Sequence, residues 1–172
     1  MFTWQNLLIG FFLLGVVAVA TLIVVGPAKI WSSVGPADLG PVDFGKLSRQ
    51  KAPADALACP REFCTAVADF EPPIFKASAP ELRATLSKIA EQQPRTVRVD
   101  AHDATLTDRY VQRSKLMQYP DTIVVQFIDR PNGTSTVAIY SRSQLGKSDL
   151  GVNLARIKLW LSELAKVVPI AN

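Results

Sequence analysis

The stretch TIVVQFIDRPNGTSTVAIY, residues 122–140, decides the fold. Thr122–Ile128 is the most apolar strand-like run of the charged part of the chain and reads as a central strand. Asp129–Gly133 is a turn with Asn132-Gly133 at its tip, and Ser135–Tyr140 returns as a second strand. Asn132-Gly133-Thr134 also fits a glycosylation sequon, which turn chemistry explains equally well.

Two more strands lie upstream. Thr96–Ala101 alternates, with Val97, Val99 and Ala101 on one face and Thr96, Arg98 and Asp100 on the other. Asp108–Met117 is longer and more polar, as a strand with one wet face or an edge would be. A helix precedes them. Ser78 with Glu81 three residues on is a capping box, Pro80 is acceptable in a first turn, and Leu82, Leu86 and Ile89 form a buried stripe. Downstream, Leu150, Leu154, Ile157, Leu161, Leu164 and Val168 recur at alternating steps of four and three, which predicts a final helix. The order is helix, four strands, helix, with short connections. It predicts an α+β domain in which an antiparallel sheet of about four strands packs against two helices on one face.

Nothing in the first 28 of the 172 residues is Asp, Glu, Lys or Arg, so the net charge of +4 belongs to the remainder. Leu7–Val25 is an uncharged run of 19 residues. As a helix it reaches roughly 28 Å, close to the thickness of a hydrocarbon core of about 30 Å. A signal peptide would want a basic start and a shorter apolar stretch. The expectation is therefore a single-pass anchor in residues 1–26 whose partner is the lipid bilayer. Gly-Pro occurs three times in the next stretch, and proline withholds a donor while disfavouring helix before it. This predicts a spacer over 27–56, then a globular domain over 57–172, with Trp31 as an interfacial anchor. Orientation has two opposed signals. Lys29 alone near the exit weakly favours a cytoplasmic domain. Cys59 and Cys64, in CPREFC, have a spacing that allows a disulfide in an oxidising compartment, against the alternative of two reduced thiols. The expectation is the non-cytoplasmic, periplasmic side. With two cysteines and the single His102, zinc lacks ligands, and neither a metal nor a cofactor is expected.

Tyr140–Ile157, YSRSQLGKSDLGVNLARI, carries more than periodicity. Ser141, Arg142, Ser143, Gly146, Ser148, Asp149, Leu150, Gly151, Val152 and Asn153 follow in order the signature of the bacterial and plastid family known as domain of unknown function 1499. Cys59-Pro60 with Cys64, and Arg113, Ser114 and Asp121, agree with it as well. The chain resembles that family over roughly its whole soluble domain. It departs at Phe63 and Thr65-Ala66-Val67, where the family has Asn and Val-Ser-Ser, and at Leu154, where it has Arg. The resemblance implies an exported or membrane-attached protein and names no reaction.

The loop before the last helix is the candidate site, with two readings. In one it is an anion, small-ligand or lipid-headgroup pocket: Arg142 and Lys147 supply charge, and Ser141, Ser143 and Ser148 supply hydroxyls. Asp149 and Asn153 sit at a helix start with free N–H groups. In the other, Ser148, Asp149 or Asn153 caps the helix and Arg142 pairs with a carboxylate such as Asp121. Catalysis has thin support. A triad would need His102 with Ser148 and Asp149, without any nucleophile elbow, and Asp100 and Asp103 are neighbours only in sequence. Arg109, Arg113 and Lys115 share strand parity and could make a basic strip toward lipid, or an ordinary solvated face. Trp160 flanks the helical stripe, as core or as a partner contact. The expected function is a membrane-anchored, non-enzymatic accessory or assembly domain that binds a membrane protein or complex and no nucleic acid. The alternatives are the ligand-binding domain and an unrecognised hydrolase.

Overall fold

The structure, a computed structural model, describes residues 4–50 and 52–171, side chains of Leu22 and Ile23 apart. The ends of the expected anchor and domain, residues 1–3 and 172, and residue 51 of the expected spacer lie outside the described residues. α1, Trp4–Val25, is 22 residues long and carries no charged side chain. At about 1.5 Å per residue it is long enough to cross a membrane. Gly26, at φ 79°, breaks it, and the short α2 follows over Pro27–Ser32. That φ suits glycine, which has no Cβ to clash.

The domain is a five-stranded antiparallel sheet in the order β1-β5-β4-β3-β2, from Asp55–Ala58, Thr96–His102, Thr107–Arg113, Pro120–Arg130 and Thr134–Ser143 numbered in chain order. The sheet thus has one strand beyond the expected count of about four. The missed strand, β1, has only four residues of sequence DALA, too short and too poor in large side chains to show a period of two. β4 and β5 form the hairpin on which the reading rested, and Asn132 takes φ 61° in its turn. β3 stops at Arg113, short of the expected Met117. Ser114 N–H donates to the Tyr119 carbonyl at 3.0 Å, which closes residues 114–119 into a loop.

Two helices, α3 (Ala79–Gln92) and α4 (Val152–Val167), cover one face of the sheet. The capping box on α3 is present, with Ser78 N–H donating to Glu81 Oε2 at 3.0 Å. Leu82, Leu86, Ile123, Val125, Ile139, Ile157, Trp160 and Leu164 build the core between helices and sheet. The stripe of α4 differs from its expectation. Leu150 lies outside the helix, 94% exposed, and Leu154 is only half-buried. The inward positions near the start of the helix belong to Asn153 and Arg156.

Among the described residues the other face of the sheet has no α-helix over it, only a short 3-10 turn at Phe44–Lys46. Phe44 and Leu47 cover Leu57, Val124, Ala138 and Tyr140 there, with Phe63 and the Cys59–Ala68 stretch beside them. Residues 38–47, read from the sequence as part of a spacer, are therefore packed against the sheet. Apolar burial explains Phe44 and Leu47, and hydrogen bonds fix the backbone around them. Leu39 N–H donates to Thr122 Oγ1 at 2.9 Å, and Arg109 Nε to Asp38 at 2.8 Å.

Candidate functional site

Ser141 and Ser143 are two residues apart on β5 and so point to the same face of the sheet, the one that α4 covers. On α4, Asn153 and Arg156 are three apart and meet on one side of the helix. Where the two elements cross, they form a buried polar network. The Ser141 hydroxyl donates to Asn153 Oδ1 at 2.6 Å, and Arg156 Nη1 donates to the same oxygen at 2.5 Å and to Ser141 Oγ at 2.8 Å. Asn153 Nδ2 donates to the Ala54 carbonyl at 3.1 Å and to Ser143 Oγ at 3.0 Å. Both lone pairs and both N–H groups of this amide thus have partners. Arg156 also donates from Nη2 to Asp121 Oδ2 at 2.5 Å and from Nε to Gln112. Arg156 joins helix α4 to strands β3, β4 and β5, and Asn153 adds the residue before β1.

The rest of the candidate loop divides between capping and solvent. Asp149 Oδ1 accepts from Gly151 N–H and Oδ2 from Asn153 N–H, each at 2.9 Å, so this carboxylate caps α4 and compensates its dipole. Ser148 Oγ accepts from Leu150 N–H at 3.2 Å, and Lys147 is exposed. Arg142 points to the opposite face of the sheet from Ser141. It does not pair with Asp121; its Nη2 donates to the carbonyls of Leu39 and Gly40, each at 2.9 Å. Burial holds its pKa below the usual arginine value, with nearby charges adjusting it further. The structure therefore brings together Ser141, Ser143 and Asn153 and leaves Arg142 and Lys147 apart from them. The pocket reading needed these groups to converge on open space. The alternation of β5 separates the hydroxyls from the arginine, and the network fills the space under α4.

Sequence reasoning missed the centre of this network. Asp121 was read as a partner for Arg142, and Arg156 was given no role. The available signal was the helical spacing of Asn153 and Arg156, which puts two polar residues on the face that carries Ile157 and Trp160. A second network, under α3, gave no sequence signal. Asp108 is fully buried and accepts from Arg83 Nη2 at 2.7 Å, Ser87 Oγ at 2.7 Å and the Tyr110 hydroxyl at 3.1 Å. Burial pushes the Tyr110 phenol well above its ordinary pKa, and the Asp108 bond raises that of Arg83.

Other candidates are placed as follows. Trp160 is fully buried and packs edge-on against Tyr110 at 5.5 Å, so it is core and not a partner surface. His102 accepts or donates a hydrogen bond with Thr105 Oγ1 at 3.0 Å. It sits on edge strand β2, level with Thr107, Gln126 and Ala138, while Ser148 follows the far end of β5 at Ser143. Three strand spacings, about 14 Å, separate those strands, so His102 does not meet Ser148 or Asp149. Asp100 pairs with Arg109 at 2.9 Å and Asp103 with Arg83 at 2.8 Å, in separate ion pairs. Arg109 is thereby neutralised by Asp38 and Asp100, and Lys115 leaves the strand, which breaks up the expected basic strip. Cys59 and Cys64 lie at disulfide distance, with Cα atoms 6.2 Å apart. Among the described residues, no group of three or more His, Cys, Asp or Glu could hold a metal ion.

The segment that runs from the residues before β1 through the arginine network into the last turns of α4 also matches a known sequence family. The family is described as Protein of unknown function (DUF1499), and its model covers residues 50–164. The chain belongs to this family. The matched span takes in all five strands, α3 and α4 as far as Leu164, so the family's unit is the α+β domain, and α1 lies outside it. No curated protein and no solved structure matches the chain.

Proposed function

We propose that the protein is a single-pass membrane protein whose domain stands on the non-cytoplasmic side and acts as a non-enzymatic accessory, binding a protein partner at or in the membrane. The observation that carries this reading is α1: a 22-residue uncharged helix whose Phe11, Phe12 and Leu14 no other described part of the protein covers. Large apolar surface of that kind belongs in lipid or against another membrane helix. Two observations support the rest. The polar groups of the candidate loop are engaged within the protein: Ser141, Ser143 and Asn153 in the network, Asp149 in the cap and Arg142 on backbone carbonyls. The Cys59–Cys64 pair at disulfide distance suits an oxidising compartment. The ligand-binding alternative keeps only Lys147 as an exposed cation of the loop.

The test is extraction and capture. Membranes washed with carbonate should retain the protein, with an intact mass that still includes α1. Purification in mild detergent should bring down one membrane protein in fixed proportion. Release by carbonate, or a mature mass lacking α1, would remove the anchor. A monomer with no stoichiometric partner would remove the accessory role. Cys59 and Cys64 that a thiol reagent labels in a cell extract without prior reduction would count against the oxidising side.

A further inference from the structure

One end of the sheet is held against the exit of α1. The β3–β4 loop, residues 114–119, and the β5–α4 loop, residues 144–151, both leave the sheet at that end, where Arg113 pairs with Pro120 and Asp121 with Ser143. Trp31, six residues beyond the end of α1, donates its indole N–H to the Met117 carbonyl and packs on Tyr119 with ring centroids 4.6 Å apart. The Gln144 side chain donates to the Pro36 carbonyl. Six residues that are largely helical advance only about 9 Å, comparable with the headgroup layer of one leaflet. The two loops are thus at headgroup level whenever α1 spans.

Their composition fits that level. Leu116 is 82% exposed, Met117 and Val152 are exposed beside it and beside Leu150, and Lys115 and Lys147 flank them. Leu150 is held outward at φ 54°, a left-handed conformation that a leucine rarely takes, with its N–H fixed by Ser148 and the next N–H by Asp149. Asp149 is the acidic residue of this loop, and both its oxygens face backbone N–H groups. Exposed leucines between lysines match an apolar boundary below and phosphates around it. Continuity with α1 names the occupant.

We propose that this rim of the domain rests in the bilayer that holds α1, with Leu116 and Leu150 in the acyl boundary and Lys115 and Lys147 on lipid phosphates. The proposal rests on α1 being an anchor, and the test separates the two. Leu116→Cys, Leu150→Cys and Val167→Cys are each labelled with an environment-sensitive fluorophore in the full chain, with Cys59 and Cys64 left oxidised. Val167 is exposed near the other end of α4 and serves as the water-facing reference. All three positions are exposed, and thermal melting checks each fold. The proteins are reconstituted into phosphatidylcholine–phosphatidylglycerol vesicles. Labels at 116 and 150 should shift to the blue, resist iodide and be quenched by nitroxide lipids, while the label at 167 behaves oppositely. If the protein floats with the vesicles and iodide quenches all three alike, the anchor stands and the rim proposal falls. Labels at 116 and 150 shielded from both quenchers would put a protein surface there and overturn it too. If the protein does not float, both readings fall.

Discussion

Arg156 Nη2 and Asp121 Oδ2 lie 2.5 Å apart in a buried ion pair that ties the second turn of α4 to the start of β4. The pair stands among hydroxyl, amide and carbonyl partners, so its charges are solvated by the protein itself. Removing one member leaves the other as an unpaired buried charge. Arg156→Ala should destabilise the domain by about 3–5 kcal/mol, and Asp121→Ala by a similar amount. The double substitution should cost clearly less than the sum, since no unpaired charge remains. Denaturant unfolding of the three variants measures this coupling. Additive losses would show that the two residues act separately.

Trp160 predicts an effect of a different kind. Trp160→Ala empties a large volume between α4 and the sheet, beside Tyr110, and should cost about 3–5 kcal/mol in thermal or denaturant unfolding. Trp160→Phe should cost much less. A partner-contact role would instead leave the melting temperature of both variants unchanged.

Arg142→Ala tests the hold on residues 38–47. Without the guanidinium the Leu39 and Gly40 carbonyls lose their donor, at about 1–3 kcal/mol, and that segment should exchange amide hydrogens faster than the sheet does. Uniform acceleration across the sheet would mean that Arg142 serves the whole fold.

The acid limb of stability should depend on Asp55. Burial raises its pKa, but hydrogen bonds from Arg49, Tyr140 and the Gln50 N–H outweigh burial and hold it below the ordinary carboxylate value. Its folded pKa is therefore lower than its unfolded one. The stabilisation it gives is complete above about pH 4 and is lost as pH falls through the folded value. Asp55→Asn should be less stable than the parent by about 2 kcal/mol at neutral pH, and the gap should narrow in acid. A gap constant from neutral to acid pH would exclude this role.

Cys59→Ser with Cys64→Ser opens a short loop at the end of β1. Closing so few residues restricts the unfolded chain by about 2 kcal/mol, and the double variant should lose about that much under oxidising conditions. Under reducing conditions, parent and variant should melt alike.

The sequence made the hairpin of β4 and β5 legible because its signals agreed: an apolar run, a turn with Asn132-Gly133 and a matching return strand. The α3 helix was legible for the same reason, through Ser78, Glu81 and its apolar stripe. β1 was not, because Ala56 and Ala58 become buried through pairing with β5 and packing in the core under the helices, relationships of distant residues. The seat of Phe44 was hidden likewise, since proline-rich chain reads as spacer whether or not a groove receives it. At the candidate site, residue types were read correctly and their directions were not. Ser141 and Arg142 are adjacent in sequence and face opposite sides of the sheet, which decides that they cannot share a ligand. Leu150 fitted the helical stripe by spacing alone, and the backbone at φ 54° removed it.

The pairing of β1 with β5 also bears on how the molecule is made. Asp55 meets Arg142 and Ala58 meets Ile139, so the strand synthesised first waits for the one synthesised last. Until some 85 further residues have emerged, the outer edge of the sheet has no partner and the chain stays open. α1 precedes all of it. A chain ordered in this way has its apolar segment clear of the ribosome long before its sheet can close, so the two parts of the molecule become available to their surroundings at different times.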